Sequence, residues 1–442
     1  MTATGIFLGI DFGTSGARAI AITADRQIQA TASLKFDQSP ASAWAAMWKQ
    51  TLFELIQQIP IALRQEASAI AINGTSSTVL ICDAQGHPLD APILYNDARG
   101  AAVLSQVRAI APAQHTVISA TSSLAKLFWW QEQVPSPVPA SPVPASTMPA
   151  YFLHQADWLA FWLHGKLGVS DYHNALKLGY DVEALCYPDW LATQNLPFRL
   201  PEVRVPGEAI APILPQIATQ LALPPSCLIC AGTTDSIAAF LASGAQSPGT
   251  AVTSLGSTLV LKLLSKTRVD DARYGIYSHR LGDLWLVGGA SNTGGAVLRQ
   301  FFSDADLASL SLQIDPAQES QLDYYPLLQP GERFPINDPH LLPRLEPRPA
   351  NPAEFLQGLL AGMARIEAEG YELLQALGAT PLAQVYTAGG GAQNEVWREM
   401  RSRHLQVPVT ASTQAEAAYG TALLALQGYS AALVKLGCSS VL

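Results

Sequence analysis

One short pattern occurs twice in the chain, and it restricts the fold more than any other feature. Residues 6 to 22 read as strand, DFGTSG, strand, and residues 251 to 264 as strand, SLGST, strand. Each is a β-hairpin whose turn consists of Gly, Ser and Thr, small residues that accept tight turns and let backbone N–H groups approach a ligand. Paired hairpins at the starts of two halves predict two related domains facing one another across a cleft. The length agrees, because 442 residues is about three times the ~150 residues of a typical domain.

Between the hairpins, short β-type runs alternate with amphipathic helical runs, which predicts an α/β protein. IFLGID, ARAIAIT, ASAIAING, TVLICD, CLICAG, TAVTSLG, LVLKLL, LWLVGG and VYTAGGG are the expected strands. Phe355, Leu359, Met363, Ile366, Leu373, Leu374 and Leu377 recur at three- and four-residue spacing, which predicts a helix over 354 to 377 with one buried face. The PPS turn at 224 to 226 precedes a new buried strand, so the domains are expected at 1–226 and 227–442. The Pro-rich segment 134 to 149 reads as an exposed surface loop, and 325 to 352 as an ordered but irregular connection.

Charged residues are only 14% and apolar residues 49%, which raises membrane residence as a question. Every apolar run is interrupted before the ~18 residues a spanning helix needs, so no membrane partner is expected. The first residues, MTATGIFLGIDFG, lack a basic segment and carry an Asp, unlike a secretion signal. With five cysteines, an odd number that suits a reducing compartment, this predicts a cytoplasmic, or plastid stromal, location. A net charge of −9 without a basic cluster argues against nucleic acid. Any phosphate ligand must then be held by backbone amides and a metal.

Asp11 ends the first strand beside the turn Gly13, Thr14, Ser15, Gly16. Such a turn binds phosphate through amides, and Asp11 would hold a hydrated Mg²⁺, although an ordinary hairpin turn explains the same residues. Gly256 and Ser257 occupy the second turn, and GGASNTGG at 288 to 295 forms a third loop of this type. In AGGGAQNEVW, Gly389, Gly390 and Gly391 permit close approach of a flat ligand, Asn394 can hydrogen-bond a base, and Trp397 offers a face for stacking. Neither G-x-G-x-x-G nor G-x-x-x-x-G-K-[ST] is present, which excludes the dinucleotide fingerprint and the P-loop.

Asp235 follows the strand CLICAGTT at the start of a helix, where a carboxylate can act as general base or as an N-cap. Gly74, Thr75, Ser76 and Ser77 end another strand with hydroxyls that suit a polyol or a capped turn, and Asn96, Asp97 and Arg99 supply a pocket wall or a surface loop. Cys227 and Cys230 form a CxxC without a second pair, and the eight histidines lack metal-site spacing, so buried packing is expected of the cysteines.

LGIDFGTSGARA, ILYNDAR, AGTTDSIAAF, SLGST, GERFP, AGGGAQNEVWREM and EAAYGTALLA, in this order, resemble the FGGY carbohydrate kinases across nearly the whole chain. The resemblance implies the actin-like ATPase fold, with two ribonuclease-H-like domains closing over ATP, Mg²⁺ and a sugar. It implies Asp235 as catalytic base and Asp11 as the metal and phosphate aspartate. It also implies Gly390, Gly391 and Asn394 as the adenine loop, and Ser257 facing the γ-phosphate. Thr14, Ser15 and Ser76 would line the sugar side, with Gly16 closing the turn. Xylulose kinases typically carry S-G-Q-M-H-G where this chain has Asn73 to Thr78. The chain is similar to the small pentulose kinases of photosynthetic organisms, which implies D-ribulose as acceptor. D-xylulose, and an actin- or Hsp70-like nucleotide switch without a sugar, are the alternatives. The partners expected are a sugar and ATP, with the protein a monomer or homodimer.

Overall fold

The computed structural model describes residues 5–37, 39–133, 151–435 and 437. The Pro-rich segment 134 to 149 lies outside them. The chain forms two compact units, Met1–Ala242 with Glu416–Leu442, and Ser243–Ala415.

The first unit holds strands β1 (Ile6–Phe12), β2 (Gly16–Thr23), β3 (Ile28–Lys35), β4 (Ala67–Gly74) and β5 (Leu228–Thr234). They lie in the order β3-β2-β1-β4-β5, with Ala209–Pro212 beyond β5. The first three are an antiparallel meander, while β4 and β5 run parallel to β1. A parallel strand is covered on both faces, which is why IFLGIDF is almost continuously apolar. Alternate side chains go to opposite layers. Ile6, Leu8, Ile10 and Phe12 join Leu52, Leu55 and Ile56 of α1 (Trp44–Gln58), whereas Phe7 joins Ala418, Ala422 and Ala425 of the helix Ala417–Lys435. At Gly9 that helix meets the sheet backbone to backbone. A Cβ there would lie 2.1 Å from both the Ala418 carbonyl oxygen and the Ala422 nitrogen, so only glycine fits. Ala417–Lys435 is long and apolar enough by length and composition to cross a membrane, but its small residues are buried against this sheet. α2 (Ser123–Gln133), α3 (Gln155–His164) and α4 (Asp235–Ala242) complete the elements around the site.

The second unit repeats the connectivity. β6 (Thr250–Leu255), β7 (Leu259–Ser265) and β8 (Leu284–Ser291) form the meander, and β9 (Gln384–Ala388) and β10 (Val409–Ala411) add in parallel on the other side of β6. Tyr277–Leu281 extends the meander edge. α5 (Gly295–Phe301), α6 (Pro352–Ala376) and α7 (Glu395–Leu405) follow. The helix expected over 354 to 377 is α6, opened by Pro352 and by Asn351, whose side chain accepts the Ala353 N–H at 3.0 Å.

Every run expected as a strand is one, and the stretch 325 to 352 is irregular. The expected domain boundary is corrected. The strand at 228–234 hydrogen-bonds to β4, so the first unit extends to Ala242, and the helix at 417–435 returns to it because its alanine face covers the first sheet.

Candidate functional site

Three parallel strands of the first unit end at one level. Asp11 of β1 lies opposite Asn73 of β4, and Asn73 opposite Thr233 of β5. Carboxyl ends of parallel strands are where α/β sheets bind ligands, because the connecting backbone there is free of ladder bonds. α4 then begins at Asp235, half-buried, whose carboxylate accepts the Ser236 N–H at 2.6 Å.

Asp11 is a strongly perturbed group. Burial, and then the Asp235 carboxylate, push its carboxyl from 3.8 up to about 6, against the opposing pull of Arg18 and a hydrogen bond from Asn73. Arg18 is partly occupied by an ion pair with Glu416. The Asn73 amide donates to Thr421 Oγ1 at 2.6 Å. Three buried oxygens in this row, Asp11 Oδ1, Asn73 Oδ1 and Thr234 Oγ1, have no hydrogen-bond partner. An unmet buried acceptor costs about 1–3 kcal/mol, so their gathering is the mark of a site completed by a ligand. An oxygen-seeking cation fits this donor set. Among the described residues no group of three His, Cys, Asp or Glu is otherwise assembled for a metal.

Behind the strand ends the support is complete. His173 Nδ1 and Thr233 Oγ1 are 2.7 Å apart, both buried, and the Asp171 carboxylate accepts the His173 and Asn174 N–H groups at 2.8 and 3.0 Å.

The first hairpin turn is closed by the Gly13 N–H donating to the Gly16 carbonyl at 3.0 Å, which leaves Thr14 and Ser15 exposed. They form one rim of a pocket of about 470 Å³. Its polar groups include Thr14, Ser15, Thr75 and Gln155, and its apolar wall includes Trp44, Trp48 and Tyr95. Gln155 Oε1 accepts both the Thr75 N–H, at 3.1 Å, and the Thr75 hydroxyl, at 3.3 Å. Thr75 lines this pocket, and two residues on, Ser77 is buried at φ +63°. A left-handed serine costs on the order of 1–2 kcal/mol.

In the second unit the hairpin turn exposes Gly256 and Ser257, and Arg299 of α5 donates to Ser257 Oγ at 3.2 Å. The GERFP segment supports the adjoining loop. The buried Glu332 carboxylate accepts from the Ser291 hydroxyl at 2.5 Å, the Asn292 N–H at 2.7 Å and the Tyr325 hydroxyl at 3.2 Å. Gly390 faces open space, whereas a Cβ on Gly391 would lie 2.7 Å from the Trp397 ring. Trp397 therefore does not offer a stacking face. It is 3% exposed, donates to the Leu360 carbonyl at 3.1 Å and belongs to the core, since the helical period points it inward. Asn394 also has structural duties, accepting the Trp397 N–H at 2.9 Å as an N-cap and donating to Ser311 Oγ at 2.8 Å. Cys227 and Cys230 are buried free thiols, and burial pushes Cys230 up to about 12.

Arg299, Gln155 and the aromatic wall did not stand out in the sequence. Arg299 lies four residues after GGASNTGG's last glycine on a helix, and a single charge at that spacing carries no motif.

Models of the FGGY family of carbohydrate kinases match the chain, the N-terminal domain over residues 6–242 and the C-terminal domain over 251–429. A xylulose kinase of Escherichia coli (strain K12) is 24% identical over 417 residues, covering 89% of this chain and 84% of its own. A xylulose kinase of Streptomyces coelicolor is 27% identical over 453 residues, covering 97% and 90%. The crystal structure of a xyloylose kinase from Brucella ovis superposes with a TM-score of 0.81 at 23% identity, covering 96% of this chain and 91% of that one.

Proposed function

Because the chain belongs to the FGGY family of carbohydrate kinases and is therefore a sugar kinase, we propose that it transfers the terminal phosphoryl group of ATP to a ketopentose. The observation that carries this reading is the pair Asp11 and Asp235 at the ends of the first sheet, one carboxylate with an unmet oxygen and the other at a helix start. Two carboxylates in different surroundings suit different duties. Asp235 takes the proton of the acceptor hydroxyl as the O–P bond forms, which needs a base within hydrogen-bond reach of that oxygen. Asp11, with Asn73, would hold Mg²⁺. That ion, when bound, neutralises charge on the phosphates.

Thr14 and Ser15 present exposed hydroxyls to a polyol, Gln155 holds Thr75 in place beside them, and the aromatic wall shields the reacting oxygen from water. In the second unit Ser257, Gly390 and Gly391 offer backbone amides to the nucleotide, Gly256 closes the turn with its N–H on the Thr258 carbonyl, and Arg299 stands as a cation on the Ser257 hydroxyl. This arrangement suits a chain poor in basic residues.

D-ribulose, phosphorylated at O5, is the acceptor favoured by the departure of Asn73 to Thr78 from the xylulose kinase pattern. D-xylulose is the reading favoured by the relatives' names. A panel of D-ribulose, D-xylulose, L-ribulose, gluconate and glycerol, followed by sugar-dependent ADP release, tests both. A dominant kcat/KM for D-ribulose is expected. Preference for D-xylulose replaces the acceptor, and ATP hydrolysis indifferent to every polyol overturns the kinase reading.

A further inference from the structure

Lys126 is fully buried on α2, a rare place for a lysine, and the catalytic scheme does not use it. Its Nζ donates to the carbonyl oxygens of Ser77 and Leu94, both at 2.7 Å. These carbonyls belong to two neighbouring segments that both line the pocket. Thr75 lies on the segment leading to Ser77, and Leu94 and Tyr95 lie on the other.

The backbone pairs these segments at one point only near the pocket, the bridge between Val79 and Ile93, whose two N–H···O bonds are 3.0 and 2.9 Å. Past that bridge, toward the pocket, side chains take over. Thr78 Oγ1 accepts the Tyr95 N–H at 3.0 Å, and the Lys126 ammonium spans Ser77 and Leu94. Ser77 has the left-handed φ noted above, a conformation that persists only where its surroundings over-determine it. The bond from Lys126 to its carbonyl is such a determinant. The charges facing Lys126 are Asp97, which favours the ammonium, and Lys177 and Arg99, which oppose it, while burial pulls the amine down to about 7.

We propose that Lys126 is a positioning residue for the acceptor sugar, holding the Thr75 segment and the Leu94–Tyr95 segment in register so that the pocket binds the sugar. The inference rests on the reading of this pocket as the acceptor site.

The test measures Michaelis constants for the preferred ketopentose and for ATP in four full-length proteins, well below their melting temperatures. Lys126→Met removes both bonds, and the sugar KM is expected to rise about tenfold or more, with ATP KM within about twofold of wild type. Thr78→Val removes the bond to the Tyr95 N–H together with the contact of the Thr78 and Thr75 hydroxyls, and is expected to raise sugar KM by about threefold. Met47→Trp fills the pocket from α1 without touching either bond. Unchanged sugar KM in folded Lys126→Met, or equal rises for sugar and ATP, overturns the positioning role while a rise in Met47→Trp upholds the pocket. Unchanged sugar KM in Met47→Trp overturns the pocket reading itself. If Lys126→Met does not fold, a fifth protein, Lys126→Gln, which loses the ammonium and shortens the reach to the two carbonyls, decides: a selective rise in sugar KM supports the proposal and no rise overturns it.

Discussion

In the second unit Arg401 donates to both oxygens of Glu367, at 2.5 and 2.7 Å, and to Thr387 Oγ1 at 2.8 Å, while Thr253 adds a bond to Glu367 at 2.5 Å. In the first unit, on a sheet of the same connectivity, Asp11, Asn73 and Thr234 each keep a buried oxygen without a partner. Glu367 and Arg401 are each about 1% exposed, so the contrast is not one of burial. Glu367 and Arg401, on α6 and α7, and Thr253 and Thr387, on the second sheet, are spent on one another and fix the structure there, although Thr293 Oγ1 in the loop after β8 is buried without a partner. The three oxygens of the first sheet are left for something the chain does not supply, which is the physical difference between a structural network and a site.

The largest expected effect removes the base. Asp235→Ala should lower kcat by about 10² to 10⁴-fold with the fold intact by circular dichroism; wild-type turnover would dissolve the distinction between the sheets. On the other side, Glu367→Leu leaves the Arg401 charge buried and alone, which costs about 3–5 kcal/mol. A lowered melting temperature with little change in kcat/KM below it is expected.

Asp11 carries the comparison into pH. Its folded value, about 6, lies above its ordinary 3.8, so the folded protein holds this proton more tightly than the unfolded chain. The ionised carboxylate therefore works against stability, increasingly as pH rises from about 4 to about 6, and fully above that. Asp11→Asn should raise the melting temperature of the ligand-free protein at pH 8, by on the order of 2 kcal/mol in stability, and have no such effect below about pH 4. MgATP should stabilise wild type more than the variant. The smallest effect is at the edge of the second unit, where Arg299→Ala is expected to raise ATP KM about fivefold, on the order of 1 kcal/mol, with sugar KM unchanged.

Much of this was legible in residue order. Both hairpins announce themselves because Gly, Ser and Thr between apolar runs have few other structural uses, and α6 is readable from its leucine spacing. Asp11 and Asp235 stand at strand ends, where polarity breaks an apolar run. What sequence hid is long-range. Trp397 looks like a free aromatic beside three glycines until α7 turns it under Gly391. Lys126 is one basic residue in SLAKLFWW, and nothing local says that two carbonyls, 49 and 32 residues away, await it. Cys230 marks an apolar strand, but its partner β4 lies far earlier in the chain, so the unit boundary could not be read from the PPS turn.

The backbone contact between Gly9 and Ala418 has a consequence for how the protein is made. The two residues are about 400 positions apart, and at 5–20 residues per second roughly 20 to 80 s pass on the ribosome between them. Throughout that interval one face of the first sheet, with Phe7, Ile20 and Ile22, has no helix to cover it. The second unit is a continuous stretch of chain and can complete its own core meanwhile. The order of synthesis and the order of folding thus diverge: the part of the protein translated first keeps this face uncovered until the helix at 417–435 has emerged.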